Sequence, residues 1–243
     1  MASNATPIDY PAGDGSTTCK GVYYKPDNAA GDLPIVLICH AWDGLLQEVH
    51  DKAVKLADEG YIAFAIDVYG NGHTESDFSK LEATLGPYMA DRALLLARMQ
   101  AAVEAAKTIP GADLSRMAAM GYCFGGTAVL DLARSGGDDI KGVVSFHGGL
   151  AGNELDNPAT ISASVLVLHG DADPLVPPEQ VAQFKQEMSD KKADWQLHAY
   201  GHTVHAFTRP EANNPDFGAV YNADADRRSW QAMCNFFDEV FGG

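Results

Sequence analysis

An α/β fold, a mostly parallel sheet with helices on both faces, is predicted for this 243-residue chain by three observations. Apolar runs of strand length recur at Leu33–His40, Tyr61–Ile66, Ile140–Phe146 and Ser164–His169, too continuous for a sheet with one wet face. Stretches with apolar residues at helical spacing lie between them, and strands alternating with helices imply parallel pairing. At Arg116–Arg134 (RMAAMGYCFGGTAVLDLAR) one strand pattern runs into a helix pattern through a glycine-flanked turn. At 46% hydrophobic the chain can bury a sizeable core. With no repeat, low-complexity segment or linker, residues 1–243 read as a single domain.

In chain order, Thr18–Lys25 reads as a strand behind a Gly/Asp turn, and Leu33–His40 as a strand buried on both faces. Gln47–Glu59 sets Val49, Ala53, Leu56 and Ala57 on one side of a helix that Gly60 ends. Tyr61–Ile66 is the next buried strand. Asp67–Gly86 is polar and punctuated by glycine, so a loop or short irregular helix is expected there. Pro87 suits a helix start, and the Ala/Leu/Met-rich pattern behind it extends the helix through Lys107. Past the Arg116–Arg134 unit come the two further buried strands and a helix at Pro178–Ser189. Trp195–Tyr200 then alternates like a strand with one wetter face. Gly201–Asp224 is a long polar loop. Asp226–Phe241 closes the chain as an amphipathic helix with Trp230, Met233, Phe236 and Phe237 on its apolar side.

A formal net charge of −16 argues against nucleic acid and anionic membranes as partners. The four cysteines, Cys19, Cys39, Cys123 and Cys234, form no CxxC pair and no metal-finger spacing. Cys39 and Cys234 lie in apolar patterns and read as core thiols. The N-terminal stretch has neither the basic region nor the apolar run of a signal peptide, and no run reaches transmembrane length. A reducing cytoplasm is therefore the expected compartment.

The turn Gly121-Tyr122-Cys123-Phe124-Gly125-Gly126, between strand and helix, has the form of a nucleophile elbow with cysteine at its centre. The elbow residue sits in a strained conformation, so its neighbours must be small. The helix start behind it directs unpaired N–H groups toward the sulfur, which favours thiolate. A buried cysteine in an ordinary glycine turn is the competing reading, and the motif alone does not separate the two. Functional groups in such sheets gather beyond the carboxyl ends of the strands. After Ser164–His169 come Asp171 and Asp173, candidates for the orienting acid. After Trp195–Tyr200 come His202 and His205, candidates for the base. Nucleophile, acid and histidine in that order match the α/β-hydrolase fold. Its oxyanion donors would be the backbone N–H of Phe124 and one from the loop after Leu33–His40, at Trp42. His40, Ala41, Trp42, Tyr122 and Phe207 are candidates for the pocket wall, with a structural role for His40 equally open. His198, His202 and His205 are spaced like metal ligands, but Gly201 breaks the strand between them and no metal is expected.

GYCFGG, HGDADPLVPP, the HAFTR segment and His40-Ala41-Trp42-Asp43-Gly44 together resemble the dienelactone hydrolase family, α/β-hydrolases with a Cys-Asp-His triad, over nearly the whole chain. The resemblance selects Asp173, the aspartate followed three residues later by Val-Pro, and His205, the histidine before a small residue and Phe. It implies hydrolysis of a small ester or lactone through an acyl-cysteine, without a cofactor, by a monomer or small homo-oligomer. Linear acyl esters or thioesters, or a silent scaffold that only binds a ligand, are the rival functions. Arg209 matches the family's arginine for the substrate carboxylate; pairing with Glu211 or Asp216 is its alternative. Arg92 and Arg98 are candidates for a second such arginine. Ala41 stands where better-known members carry a glutamate that takes part in activating the thiol. A standing Cys123–His205 ion pair is therefore expected, with Asp43 or Glu48 as the substitute if a gate exists.

Overall fold

Chain segments that the apolar runs mark as buried form the centre of an eight-stranded sheet in the structure, a computed structural model describing residues 5–27 and 31–242. Residues 1–4, part of the stretch read above as lacking a signal peptide, lie outside the described residues. The strands are β1 (Thr6–Pro11), β2 (Thr18–Tyr24), β3 (Leu33–Cys39), β4 (Ile62–Ile66), β5 (Ala112–Tyr122), β6 (Gly142–Phe146), β7 (Ser164–Gly170) and β8 (Trp195–Tyr200). Their order is β1-β2-β4-β3-β5-β6-β7-β8. β1, β2 and β4 pair antiparallel; every pair from β4 to β8 is parallel. The register aligns Cys39 with Gly121 and Tyr122 with Phe146, so β3, β5 and β6 deliver their following loops to one edge.

Alternate residues of each strand feed two apolar layers, as the pleat requires. Ile35, Leu37, Met117, Val143 and Val165 pack under helices α3 (Arg92–Ala106), α4 (Phe124–Arg134) and α5 (Pro178–Asp190). Val36, Ile38, Met120, Val144 and Leu166 pack under α1 (Gln47–Asp58) and α6 (Ala223–Phe241). Cys39 is fully buried as expected. Cys234, on α6, is only half-buried, at the edge of the second layer.

Between β4 and α3 the structure departs from expectation. A 3₁₀ turn (Phe78–Lys80) leads into α2 (Leu81–Ala90), which contains Pro87 rather than starting at it. The helix then breaks at Asp91, whose carboxylate accepts from Leu94 N–H at 2.9 Å and caps α3. Both helices are rich in Ala, Leu and Met, so the periodicity ran across the break. β1 escaped notice because, of its six residues, only Tyr10 is buried. The Gly201–Asp224 loop contains a short hairpin, β9 (Asn213–Asn214) and β10 (Ala219–Val220).

Candidate active site

Cys123 occupies the turn between β5 and α4 with φ 53° and ψ −112°, a conformation that L-residues rarely adopt. Local hydrogen bonds hold it there. Its N–H donates to the Phe146 carbonyl at 3.0 Å, and its carbonyl accepts from Thr127 N–H at 3.2 Å. The flanking glycines are required by contact. A Cβ on Gly121 would collide with the Gly125 carbonyl, and one on Gly125 would lie 2.6 Å from the His40 carbonyl oxygen. Strand, elbow and helix pass too close for any side chain.

Asp173 and His205 complete a hydrogen-bonded chain to the sulfur. The Asp173 carboxylate is buried in the turn after β7, where Oδ1 accepts from Leu175 N–H at 2.9 Å. Its Oδ2 meets His205 Nδ1 at 2.8 Å, and His205 Nε2 lies 3.1 Å from Cys123 Sγ. The short hairpin presents His205: its N–H donates to the Gly218 carbonyl, and its own carbonyl accepts from Val220 N–H. His202 is exposed in the turn before it, and Asp171 is exposed as well. Burial by itself would depress the His205 pKa. Interactions with Cys123 and with the Asp173 carboxylate outweigh it and raise the value to about 10.

The triad opens into a cavity of about 480 Å³. Trp42, Phe78, Leu81, Leu85, Leu175 and Phe217 make its apolar wall, with the Trp42 and Phe217 rings packed edge-on against Phe78. Three of these, Phe78, Leu81 and Leu85, come from the polar stretch expected to be a loop or short irregular helix. Their only sequence signal was three large apolar residues in a glycine-punctuated segment. Ala41 and Tyr122 line the cavity as expected, the Tyr122 ring stacked on Phe146. The N–H groups of Phe124, first residue of α4, and of Trp42 find no acceptor among the described residues.

Two expected wall residues do not reach the cavity. His40 is fully buried; its Nε2 accepts from Val68 N–H at 3.2 Å and its Nδ1 donates to the Ala41 carbonyl at 2.6 Å. Both ring nitrogens are used by backbone, and burial lowers its pKa, so it is a neutral structural histidine. Phe207 follows His205, and its side chain turns into the core against His147 and Tyr200. His147, at the end of β6, lines the cavity instead. It has φ 40°, its ring centroid lies 5.1 Å from that of His205, and its Nε2 pairs with Thr208 Oγ1 at 2.9 Å. Burial, with His205 adding to it, holds its pKa well below the usual value.

Arg209 lines the cavity, but its guanidinium is already engaged: Nη1 is 2.5 Å from Asp43 Oδ2 and Nε is 3.4 Å from Glu48 Oε2. Of its two expected loop partners, Glu211 is 3.9 Å away. The other proposed arginines lie elsewhere: Arg92 pairs with Asp131, and Arg98 with Asp14. Among the described residues no group of three or more His, Cys, Asp or Glu is placed to hold a metal. No helix there is long and apolar enough to cross a membrane.

The fold and the triad can be set beside known proteins. The structure superimposes with a TM-score of 0.93 on a dienelactone hydrolase-like promiscuous phosphotriesterase from metagenomic libraries, at 39% identity over 99% of this chain and 100% of that one. A structure named m3DLH gives the same TM-score at 36% identity, with the same coverage. A protein of Yersinia pestis bearing the name "Putative carboxymethylenebutenolidase" is 27% identical over 226 residues, 88% of this chain and 81% of its own length. The family model described as the dienelactone hydrolase family matches residues 19–241. This chain is thus a hydrolase of α/β-hydrolase fold that belongs to the dienelactone hydrolase family.

Proposed function

We propose that the protein cleaves small carboxylic esters and lactones through an acyl-cysteine at Cys123. The observation that carries this reading is the unbroken Asp173–His205–Cys123 chain, 2.8 and 3.1 Å, at a strained elbow facing the cavity. The Cys123 thiolate adds to the carbonyl carbon, and the displaced electron pair moves onto the carbonyl oxygen. The N–H groups of Phe124 and Trp42 donate to that oxyanion, where preorganised donors act most strongly. His205 passes its Nε2 proton to the leaving oxygen as the C–O bond breaks, and a thioester remains. A water then gives its proton to His205 and adds to the thioester; the acid departs and the thiolate returns. Asp173 keeps the imidazole in one tautomer and orientation. For a lactone, the leaving oxygen stays tethered to the product.

The size of the cavity supports a small substrate, and the names of relatives support an ester or lactone. A second reading rests on the 39% identical phosphotriesterase: the same thiolate would attack the phosphorus of an uncharged phosphate triester. A non-catalytic scaffold would have no use for a base hydrogen-bonded to a cysteine at an elbow. Stopped-flow mixing with p-nitrophenyl butyrate tests the proposal. A burst of p-nitrophenol and a butyryl adduct on the Cys123 peptide are expected, both absent in Cys123→Ala. Undiminished turnover by that variant would overturn it. A diethyl aryl phosphate in the same assay tests the second reading.

A further inference from the structure

Charge around the catalytic cavity does not balance. Arg209, Asp43, Glu48 and Glu211 all line it, one cation among three carboxylates. Asp43 and Glu48 have side chains only 6% and 25% exposed, so their interaction with Arg209 is weakly screened; Glu211, at 74%, is largely screened by water. His205 is already committed to Asp173 and Cys123, and Lys52 lies 3.6 Å from Asp226 and donates to the Thr208 carbonyl. A carboxylated substrate entering here meets a guanidinium whose Nη1 and Nε already face carboxylates. To pair with those two atoms it must displace Asp43 or Glu48 and leave a largely buried carboxylate unpaired, and anywhere else on the guanidinium it stands beside both of them. Trp42, Phe78 and Phe217 line the same cavity and offer apolar surface to an uncharged group.

We propose that Asp43 and Glu48 are specificity-determining residues: by occupying Arg209 they restrict the enzyme to esters and lactones with no negative charge on the acyl part. The inference rests on the ester hydrolysis proposed above and departs from the carboxylate-binding role that family resemblance implies for Arg209. Asp43 directly follows Trp42, so the same ion pair joins the oxyanion loop to the loop carrying His205.

Two p-nitrophenyl esters of matched size test the charge rule: the glutarate half-ester, which carries a free carboxylate, and its methyl-capped counterpart. Wild type is expected to favour the capped ester in kcat/KM by about tenfold or more, because like charges repel at close range. Asp43→Asn combined with Glu48→Gln should narrow that gap, read as the ratio of the two esters within each variant. Circular dichroism checks that the variant folds; if it does not, Glu48→Gln alone, read by the same ratio, decides. Preference of wild type for the carboxylated ester, or a ratio left unchanged in the folded variant, would overturn the charge rule. In those cases an acyl adduct on Cys123 would leave the proposed hydrolysis standing. Failure of both esters to acylate Cys123 would remove the reaction and this inference with it.

Discussion

At the scale of single residues, the site turns on one imidazole held between Cys123 and Asp173. Burial opposes its charge, and its interactions with Cys123 and Asp173 overcome burial, which is why the His205 pKa rises to about 10. The sign follows from that direction. An imidazole raised above its unfolded value of about 6.5 contributes its full stabilisation below that value. The contribution is then lost as pH rises toward 10. Removing the sulfur in Cys123→Ala leaves burial opposed by Asp173 alone. The His205 ring resonances should therefore titrate at clearly lower pH in that variant than in wild type, by NMR. Identical titration curves would show that no thiolate faces the ring. His202, three residues earlier in the same loop, is exposed and meets neither Cys123 nor Asp173.

Elements act here as clamps on single atoms. β5 and α4 hold Cys123 at its strained φ, and the β9–β10 hairpin fixes the backbone on both sides of the His205 side chain. The elbow works only while β3 can lie against the start of α4, which Gly125 permits. In Gly125→Ala the new methyl would press on the Cys39 and His40 carbonyls, just ahead of the Trp42 donor. A loss of about 1–3 kcal/mol in urea unfolding is expected from such overpacking. A fall in ester kcat/KM should accompany it, because the oxyanion loop must move. Gly152→Ala, where an added Cβ meets nothing within 4 Å, serves as the control. If both variants match wild type in stability and rate, close approach at Gly125 is not what the elbow requires. α2 is a different kind of element. It buries no residue of its own, and it contributes Leu81 and Leu85 to the cavity wall.

For the whole molecule, one buried cation links the helices of the first apolar layer. Arg134, fully buried on α4, donates to both Glu187 oxygens on α5 at 2.8 and 2.9 Å and to the Leu150 carbonyl at 3.1 Å. It also meets Asp131, which pairs in turn with Arg92 of α3 at 2.6 Å and accepts from Asn153 at 2.7 Å. The network thus ties three helices to the loop that follows β6. Arg134→Ala would leave Glu187 unpaired and the buried Asp131 short of one of its partners, a change that typically costs about 3–5 kcal/mol. Urea denaturation measures it. A cost under about 1 kcal/mol, the range of exposed ion pairs, would mean that water reaches the network.

What the sequence determined by itself was whatever rests on short-range pattern. Continuous apolar runs marked β3, β4, β6 and β7, because a strand covered on both faces has no position for a polar residue. Cys123, Asp173 and His205 were legible as candidates because each lies within five residues of the carboxyl end of a strand, and the parallel sheet brings those strand ends to one edge. Family resemblance then separated His205 from His202, and Asp173 from Asp171. Composition could not locate the break at Asp91, since the helices on either side of it share one makeup. Nor could it show that Phe207 turns inward or that His40 spends both nitrogens on backbone. Those outcomes depend on what packs against each residue from distant parts of the chain. The charge state of the pocket is the clearest case. Arg209 reads in sequence as a site for a substrate carboxylate or as a partner of Glu211 or Asp216, and only the fold brings Asp43 and Glu48, more than 150 residues earlier, against its guanidinium. Ion pairing depends on distance in space, and the local pattern of a sequence carries no record of it.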